Sequence, residues 1–158
     1  FIVGTEAEHA GIIRHGAKMV NAVANSVVPK ISIIVGGSFG AGHYAMCGRA
    51  YRPRYIAAWP TARYSVMGGG QAAGVLVGLR EAQIRRDGGE VTEGQHEALL
   101  DEITERYAEQ MDPVHGAARL WLDAVIPPQR TREVIVQALE MASHNPDIPP
   151  FRTGNLQV

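Results

Sequence analysis

A single cysteine, Cys47, in 158 residues excludes an internal disulfide framework and suits a reducing compartment. An excess of charge of either sign is also missing. The 15 Lys and Arg and the 16 Asp and Glu are interspersed and leave a net charge of -1. Neither nucleic acid nor a membrane surface is therefore an expected partner. No apolar run approaches the roughly 20 residues that cross a bilayer. His15, His43 and His115 lack metal-ligand spacing with acidic or thiol partners, so no metal site is expected. No lysine follows Gly68-Gly69-Gly70 at the spacing of a phosphate loop, which argues against a nucleotide cradle. The chain has no internal repeat and no low-complexity tract. It opens on Phe1-Ile2-Val3-Gly4, which reads as a strand end entering a loop. An upstream part is expected on that reading, and the lack of a signal peptide carries no information.

What the chain does have is a stretch, residues 31–46, around which the rest is organised. Residues 31–35 (Ile-Ser-Ile-Ile-Val) have the β-branched composition of a buried strand. Residues 36–42 hold four glycines, with Ser38, Phe39 and Ala41 between them, and read as a glycine-rich turn. Residues 41–46 read as the first turns of a helix. A strand feeding a helix through such a turn exposes backbone N–H groups at the positive end of the helix dipole. If negative charge develops there during a reaction, the place is an oxyanion hole.

On either side, elements alternate. Residues 8–25 carry apolar side chains at Ile12, Ile13, Ala17, Val20 and Ala24, an amphipathic helix pattern. Arg49, Arg52 and Arg54 with Tyr51 form a basic loop, able to bind a carboxylate or phosphate or, more usually, simply solvated. Residues 55–59 and 64–67 suit short buried strands. Gly68-Gly69-Gly70 is a second glycine turn ahead of a helix over 71–86, and residues 92–111 predict another. A short helix over 113–121, a brief strand at 124–126 and a last helix to Ser143 complete the chain. Residues 145–158 read as a loose tail. Alternating helices and short buried strands predict an α/β fold with a parallel or mixed sheet, and the length suits one domain.

Gly36-Gly37-Ser38-Phe39-Gly40 also matches the G-x-S-x-G elbow of serine hydrolases, with Asp112 or Asp123 and then His144 in hydrolase order. Against it, Gly40-Ala41-Gly42 extends beyond what an elbow requires and suggests close approach of a ligand to backbone. The plainer reading is that Ser38 is simply a turn residue in a glycine loop. The second glycine turn is either another wall of the same cleft or close helix packing through small residues. Cys47 reads as a small buried hydrophobe, and Trp59 and Trp121 as core or interface aromatics.

Several motifs in one order carry a resemblance. They are His15-Gly16-Ala17-Lys18-Met19, Val28-Pro29-Lys30, Gly36 through Gly42, Met46-Cys47-Gly48-Arg49-Ala50-Tyr51 with Pro53-Arg54, Trp59-Pro60, and Ser65-Val66-Met67-Gly68-Gly69 with Gln71-Ala72-Ala73. Ala118-Arg119-Leu120-Trp121 and Asp123 resume the match, whereas residues 78–110 carry no motif. Together they resemble the carboxyltransferase (beta) subunit of biotin-dependent acyl-CoA carboxylases, most closely the methylcrotonoyl-CoA branch.

The resemblance implies a crotonase-like spiral of β-β-α units with flanking helices. It implies that residues 1–158 form the C-terminal, biotin-side domain, with an N-terminal acyl-CoA domain upstream. The reaction would move a carboxyl group from carboxybiotin to an acyl-CoA such as methylcrotonoyl-, geranyl-, propionyl- or acetyl-CoA, without a protein nucleophile. The backbone N–H groups of Ala41 and Gly42 would form the oxyanion hole. Gly37, Ser38, Phe39, Gly40, His43, Tyr44, Gly68, Gly69 and Gly70 would line the cleft. Gly70 and His43 depart from residues common in the family, Glu and Asn. Implied partners are a biotin carboxylase, a biotin carrier and further copies of the subunit joined N domain to C domain. The implied location is the bacterial cytoplasm or the mitochondrial matrix.

Overall fold

The computed structural model describes residue 2 and residues 4–152. The strand end expected over residues 1–4 rests partly on Phe1 and Val3, which lie outside the described residues, as do the last six residues of the tail. Residues 145–152 contain no helix or strand.

The architecture is two stacked β-β-α units. In the first, β1 (Ile31–Ile34) and β2 (Gly37–Phe39) lead into α3 (Gly40–Ala45). In the second, β3 (Tyr55–Ala58) and β4 (Arg63–Ser65) lead into α4 (Gly69–Arg86). The units stack in parallel register. Ile31 faces Tyr55 and Ile34 faces Ala58 in one sheet, and Gly37 faces Arg63 and Phe39 faces Ser65 in the other. The short strand β5 (Ala124–Val125) extends the first sheet to the order β1-β3-β5, all parallel. This is the α/β spiral of β-β-α units that the sequence implied.

Three expectations are corrected. The helix expected over 8–25 is two helices, α1 (Thr5–His9) and α2 (Ile12–Asn25). The chain breaks at Gly11, whose φ of 86° a helix cannot hold. The expected apolar face of α2 is also largely uncovered, with Ile13, Ala17 and Ala24 all exposed. The expected glycine turn over 36–42 contains a strand instead. Residues 37–39 are extended because β4 offers them a ladder, which Arg63 prolongs by donating its N–H to the Gly36 carbonyl at 3.1 Å. Without side-chain bulk at Gly37, propensity gives no sign of this pairing.

The core is built from small residues. Ala57, Ala58, Ala45, Ala62 and Ala72 are completely buried. Ile34, Ile56, Ala58, Ala62, Tyr64 and Leu122 form one cluster, and Ala57, Ile126 and Val134 another. Trp59 packs on the second cluster and donates its indole N–H to the Thr131 hydroxyl at 2.9 Å, so it is a core aromatic, whereas Trp121 is half exposed. The last helix, α7 (Thr131–Ser143), buries Val134, Ala138 and Ala142 at four-residue spacing. The helices α4 and α5 (Glu93–Gln110) pack on each other. Thr92 and Gln95 close a capping box at the start of α5. The short α6 (Pro113–Ala118) starts with Asp112 accepting from the Val114 N–H at 2.8 Å and Pro113 behind it.

Long-range polar clamps fix the stack. Asp123 bonds Arg49 Nη2 at 2.6 Å through one oxygen and the Ile56 N–H at 2.8 Å through the other. Arg49 also donates to the Leu120 carbonyl at 2.9 Å. Arg49 is therefore a clamp residue within the basic loop rather than a solvated one. We expect Asp123→Ala to destabilise the fold by about 1–3 kcal/mol, mainly by stripping the Ile56 N–H of its acceptor, since a half-exposed ion pair alone contributes less. Urea unfolding measures this. Gly116 is a sharper case, because a Cβ there would lie 1.4 Å from the Tyr64 hydroxyl oxygen. That hydroxyl is buried without a hydrogen-bond partner among the described residues. Gly116→Ala is expected to lower stability by about 1–3 kcal/mol. Tyr64→Phe is expected to be neutral or stabilising and to recover part of the loss in the double variant, again by urea unfolding.

Candidate functional site at the paired strand-to-helix junctions

Two strand-to-helix junctions build the site. In the first, β2 runs into α3 without an intervening turn, and Gly40 takes a φ of 54°. In the second, β4 passes through Val66 and Met67 to Gly68, the N-cap of α4. Parallel pairing of β2 with β4 through Phe39 and Ser65 sets the junctions side by side. The approach is close: a Cβ on Gly40 would sit 3.1 Å from the Val66 carbonyl oxygen. Position 40 thus needs glycine twice, for its backbone angle and for its neighbour.

Gly40, Ala41 and Gly42 form the first turn of α3. Their N–H groups have no acceptor within the helix. His43 follows, with Nδ1 3.0 Å from the Ser38 hydroxyl. Its ring stacks on Tyr64 at 5.5 Å between centroids and meets Tyr44 edge-on at 5.7 Å. A Cβ on Gly48 would lie 2.7 Å from the ring, so Gly48 leaves the space that the imidazole fills. Burial lowers the His43 pKa below its ordinary 6.5. Burial disfavours the charged ring, so the fold is more stable above that ordinary value and loses stability as pH falls below it. Burial likewise raises the Tyr64 phenol and the Cys47 thiol, and Cys47 is the buried hydrophobe expected.

Gly37, Ser38 and His43 line a cleft of about 300 Å³ together with residues of β1, Met46 and Cys47. Phe39, Gly40, Ala41, Gly42 and Tyr44 lie beyond that cleft at the junction, and Phe39 and Tyr44 are more than a third exposed. Gly68, Gly69 and Gly70 stand at the start of α4. Close packing explains only one of these glycines: a Cβ on Gly69 would meet the Met111 methyl at 3.0 Å, whereas Gly68 and Gly70 face open space. Among the described residues, no three His, Cys, Asp or Glu side chains gather to hold a metal.

The hydrolase-order constellation does not assemble. Asp112 caps α6, Asp123 is committed to Arg49 and Ile56, and His144 is exposed at the end of α7. The base beside Ser38 is His43, with no carboxylate behind it among the described residues. Sequence reasoning missed three contributors. The Ser38–His43 contact, the Tyr64 ring and the Tyr107 hydroxyl on Ser65 and Met67 all reach the junctions. Tyr64 and Tyr107 come from far along the chain, so no local pattern marks them.

Chemically, the first junction offers backbone donors without an intrahelical acceptor, bare glycine surface and an imidazole whose charged form burial disfavours, a setting for charge that develops on a ligand oxygen.

The comparisons with known proteins agree on the kind of domain. The family model of the carboxyl transferase domain matches residues 1–156. The chain is 48% identical over 146 residues to the biotin-dependent 3-methylcrotonyl-coenzyme A carboxylase beta1 subunit of Mycobacterium tuberculosis, covering 92% of this chain and 28% of that protein. It is 49% identical over 146 residues to the mitochondrial methylcrotonoyl-CoA carboxylase beta chain of Arabidopsis thaliana, covering 92% and 25%. Among solved structures, the beta subunit of P. aeruginosa geranyl-CoA carboxylase superposes with a TM-score of 0.80 at 39% identity, covering all of this chain and 29% of that one. Transcarboxylase 12S with hydrolyzed methylmalonyl-coenzyme A bound gives 0.81 at 34% identity, with the same coverage. The chain thus spans little more than a quarter of the length of these relatives. With its crotonase-like α/β architecture and a match along nearly its whole length, the chain belongs to the carboxyl transferase domain family.

Proposed function

We propose that this chain is the C-terminal, biotin-side part of the carboxyltransferase subunit of a biotin-dependent acyl-CoA carboxylase. One observation carries the reading: the first-turn N–H groups of Ala41 and Gly42 stand without intrahelical acceptors at a junction kept bare by glycine and flanked by a second glycine junction. Biotin, when bound, supplies the carboxyl group that is passed to an acyl-CoA.

The residues present suit it. Ala41 and Gly42 would hold the ureido oxygen through their backbone N–H groups, donors suited to an oxygen that carries negative charge. Gly40 and Gly42 keep side-chain bulk away from the ring. Gly37, Ser38, His43, Gly68, Gly69 and Gly70 line the approach, while Phe39 and Tyr44 offer apolar edges to it. The neutral His43 keeps positive charge out of the cleft. The acyl group belongs to the class set by the relatives: methylcrotonoyl, geranyl, propionyl or acetyl.

The partners are a biotin carboxylase and its biotin carrier, and further copies of the same subunit joined N domain to C domain. The apolar side chains left exposed around the junctions, Val35, Met46 and Val66, support such a cover. Eukaryotic relatives named as mitochondrial support a mitochondrial location in a eukaryote, in the matrix on this reading, with the cytoplasm as the bacterial counterpart.

Gly42→Pro deletes one donor outright. In the full-length holoenzyme it is expected to lower steady-state carboxylation by about two to three orders of magnitude, with acyl-CoA affinity and melting temperature retained. A folded Gly42→Pro enzyme that carboxylates at the wild-type rate would sink the assignment. Ser38→Ala is expected to have a mild effect in the same assay, since backbone donors survive it. Complete loss of activity in a folded Ser38→Ala enzyme would instead favour nucleophilic chemistry at Ser38.

A further inference from the structure

In sequence, the run Arg80 to Gln110 reads most simply as a pair of solvated helices. Most of α5 fits that description, since it has no buried residue. Its last turns do not. The Tyr107 hydroxyl reaches back about 40 positions to the linker between β4 and α4. It lies 2.7 Å from the Ser65 hydroxyl, 3.2 Å from the Met67 carbonyl oxygen and 3.3 Å from the Met67 nitrogen. A phenol has one proton to donate and two lone pairs. One assignment uses all three: the phenol donates to the Met67 carbonyl and accepts from the Ser65 hydroxyl and the Met67 N–H.

These contacts bracket Val66, the residue whose carbonyl oxygen stands against Gly40. One turn further on, Met111, the C-cap of α5, finishes the brace. Its methyl packs on Gly69 in the first turn of α4, and its carbonyl accepts from the Tyr64 N–H at 3.4 Å. The end of α5 therefore grips the second junction from β4 to the first turn of α4. The first junction leans on the second through Gly40 and Val66. A ring at position 107 would suffice for packing alone, but only the hydroxyl satisfies the polar groups of the linker.

We infer that Tyr107 is a positioning residue for carboxyl transfer: its hydroxyl sets the linker 65–67, which fixes the spacing between the two glycine junctions. This inference rests on the carboxyltransferase reading of the site. A shift of about 1 Å in a positioned group is enough to cost up to about a hundredfold in rate. Loss of the hydroxyl should therefore act on turnover and leave acyl-CoA binding alone.

The test is Tyr107→Phe in the full-length holoenzyme, assayed for steady-state carboxylation, with hydrogen exchange of the Met67 amide as a readout independent of activity. The expected result is a fall in kcat of about tenfold or more, an unchanged KM for acyl-CoA, a wild-type melting temperature and faster exchange at Met67. Ser65→Ala removes one of the three contacts and is expected to act in the same direction but less. The Ser65→Ala/Tyr107→Phe double variant should cost less than the sum of the two, because the residues share a bond. A folded Tyr107→Phe enzyme with kcat within about twofold of wild type overturns the inference, as does an equal loss in kcat and acyl-CoA binding. Gly42→Pro run alongside separates the two ideas. If it is inactive while Tyr107→Phe is fully active, only the role of Tyr107 falls. If both are fully active, the site reading itself falls.

Discussion

The constraint on which the rest depends is the parallel pairing of two three-residue strands, β2 with β4. Each of these strands runs straight toward a helix. Once Phe39 is opposite Ser65, both helix starts must emerge at the same edge of the stack. The near contact between Gly40 and the Val66 carbonyl follows from that register, and so does the need for glycine at position 40. A one-residue slip would move every side chain of β2 to the opposite face and pull the junctions apart. The register itself is held from outside the small sheet. The larger parallel sheet aligns the same two units residue by residue from Ile31 to Ile34, and the Asp123 carboxylate anchors the start of β3.

The proposed site, made of backbone donors, asks something different of its surroundings from one made of acidic and basic side chains. Backbone donors have no rotamers to select and no protonation state to tune, so their placement is entirely a matter of where the chain is held. This accounts for the character of the supporting residues. They are tyrosines, glycines and alanines that fix chain position, rather than charged groups that shift a pKa. Tyr64 stacks on His43 and needs the absent Cβ of Gly116, while Tyr107 holds the linker ahead of α4. His43, next to α3's first turn, has its charged form disfavoured by burial. The alanines of β3, fully covered, let elements on both faces of the larger sheet come close.

Much of this was legible in the residues. The β-branched run at 31–35, the prolines and glycines that punctuate the chain, and the alternation of short apolar segments with helical patterns suffice for an α/β fold, because they act locally. The strand-to-helix character of both glycine stretches was also legible. The break between α1 and α2 could have been read at Gly11, but a glycine within a helical pattern does not by itself announce a positive φ. The strand at 37–39 could not have been read. Glycine and serine carry little strand preference, and what makes them extended is a ladder with residues 63–65. The hydrolase-like order of Ser38, Asp112 or Asp123 and His144 shows the converse failure, in which residues in a suggestive order are dispersed by the fold to caps, clamps and a helix end.

The sequence by itself determined the class of fold, the family and the two stretches where chain direction changes from strand to helix, since each depends on residue types in short windows or on motifs in a fixed order. Tertiary structure alone decided that those two stretches are neighbours, that Gly40 must clear the Val66 carbonyl, that His43 rather than His144 meets Ser38, and that a hydroxyl on α5 reaches the linker at 65–67. The reason is that each of these facts depends on the relative placement of segments set by strand register or packing, and no window of sequence contains it.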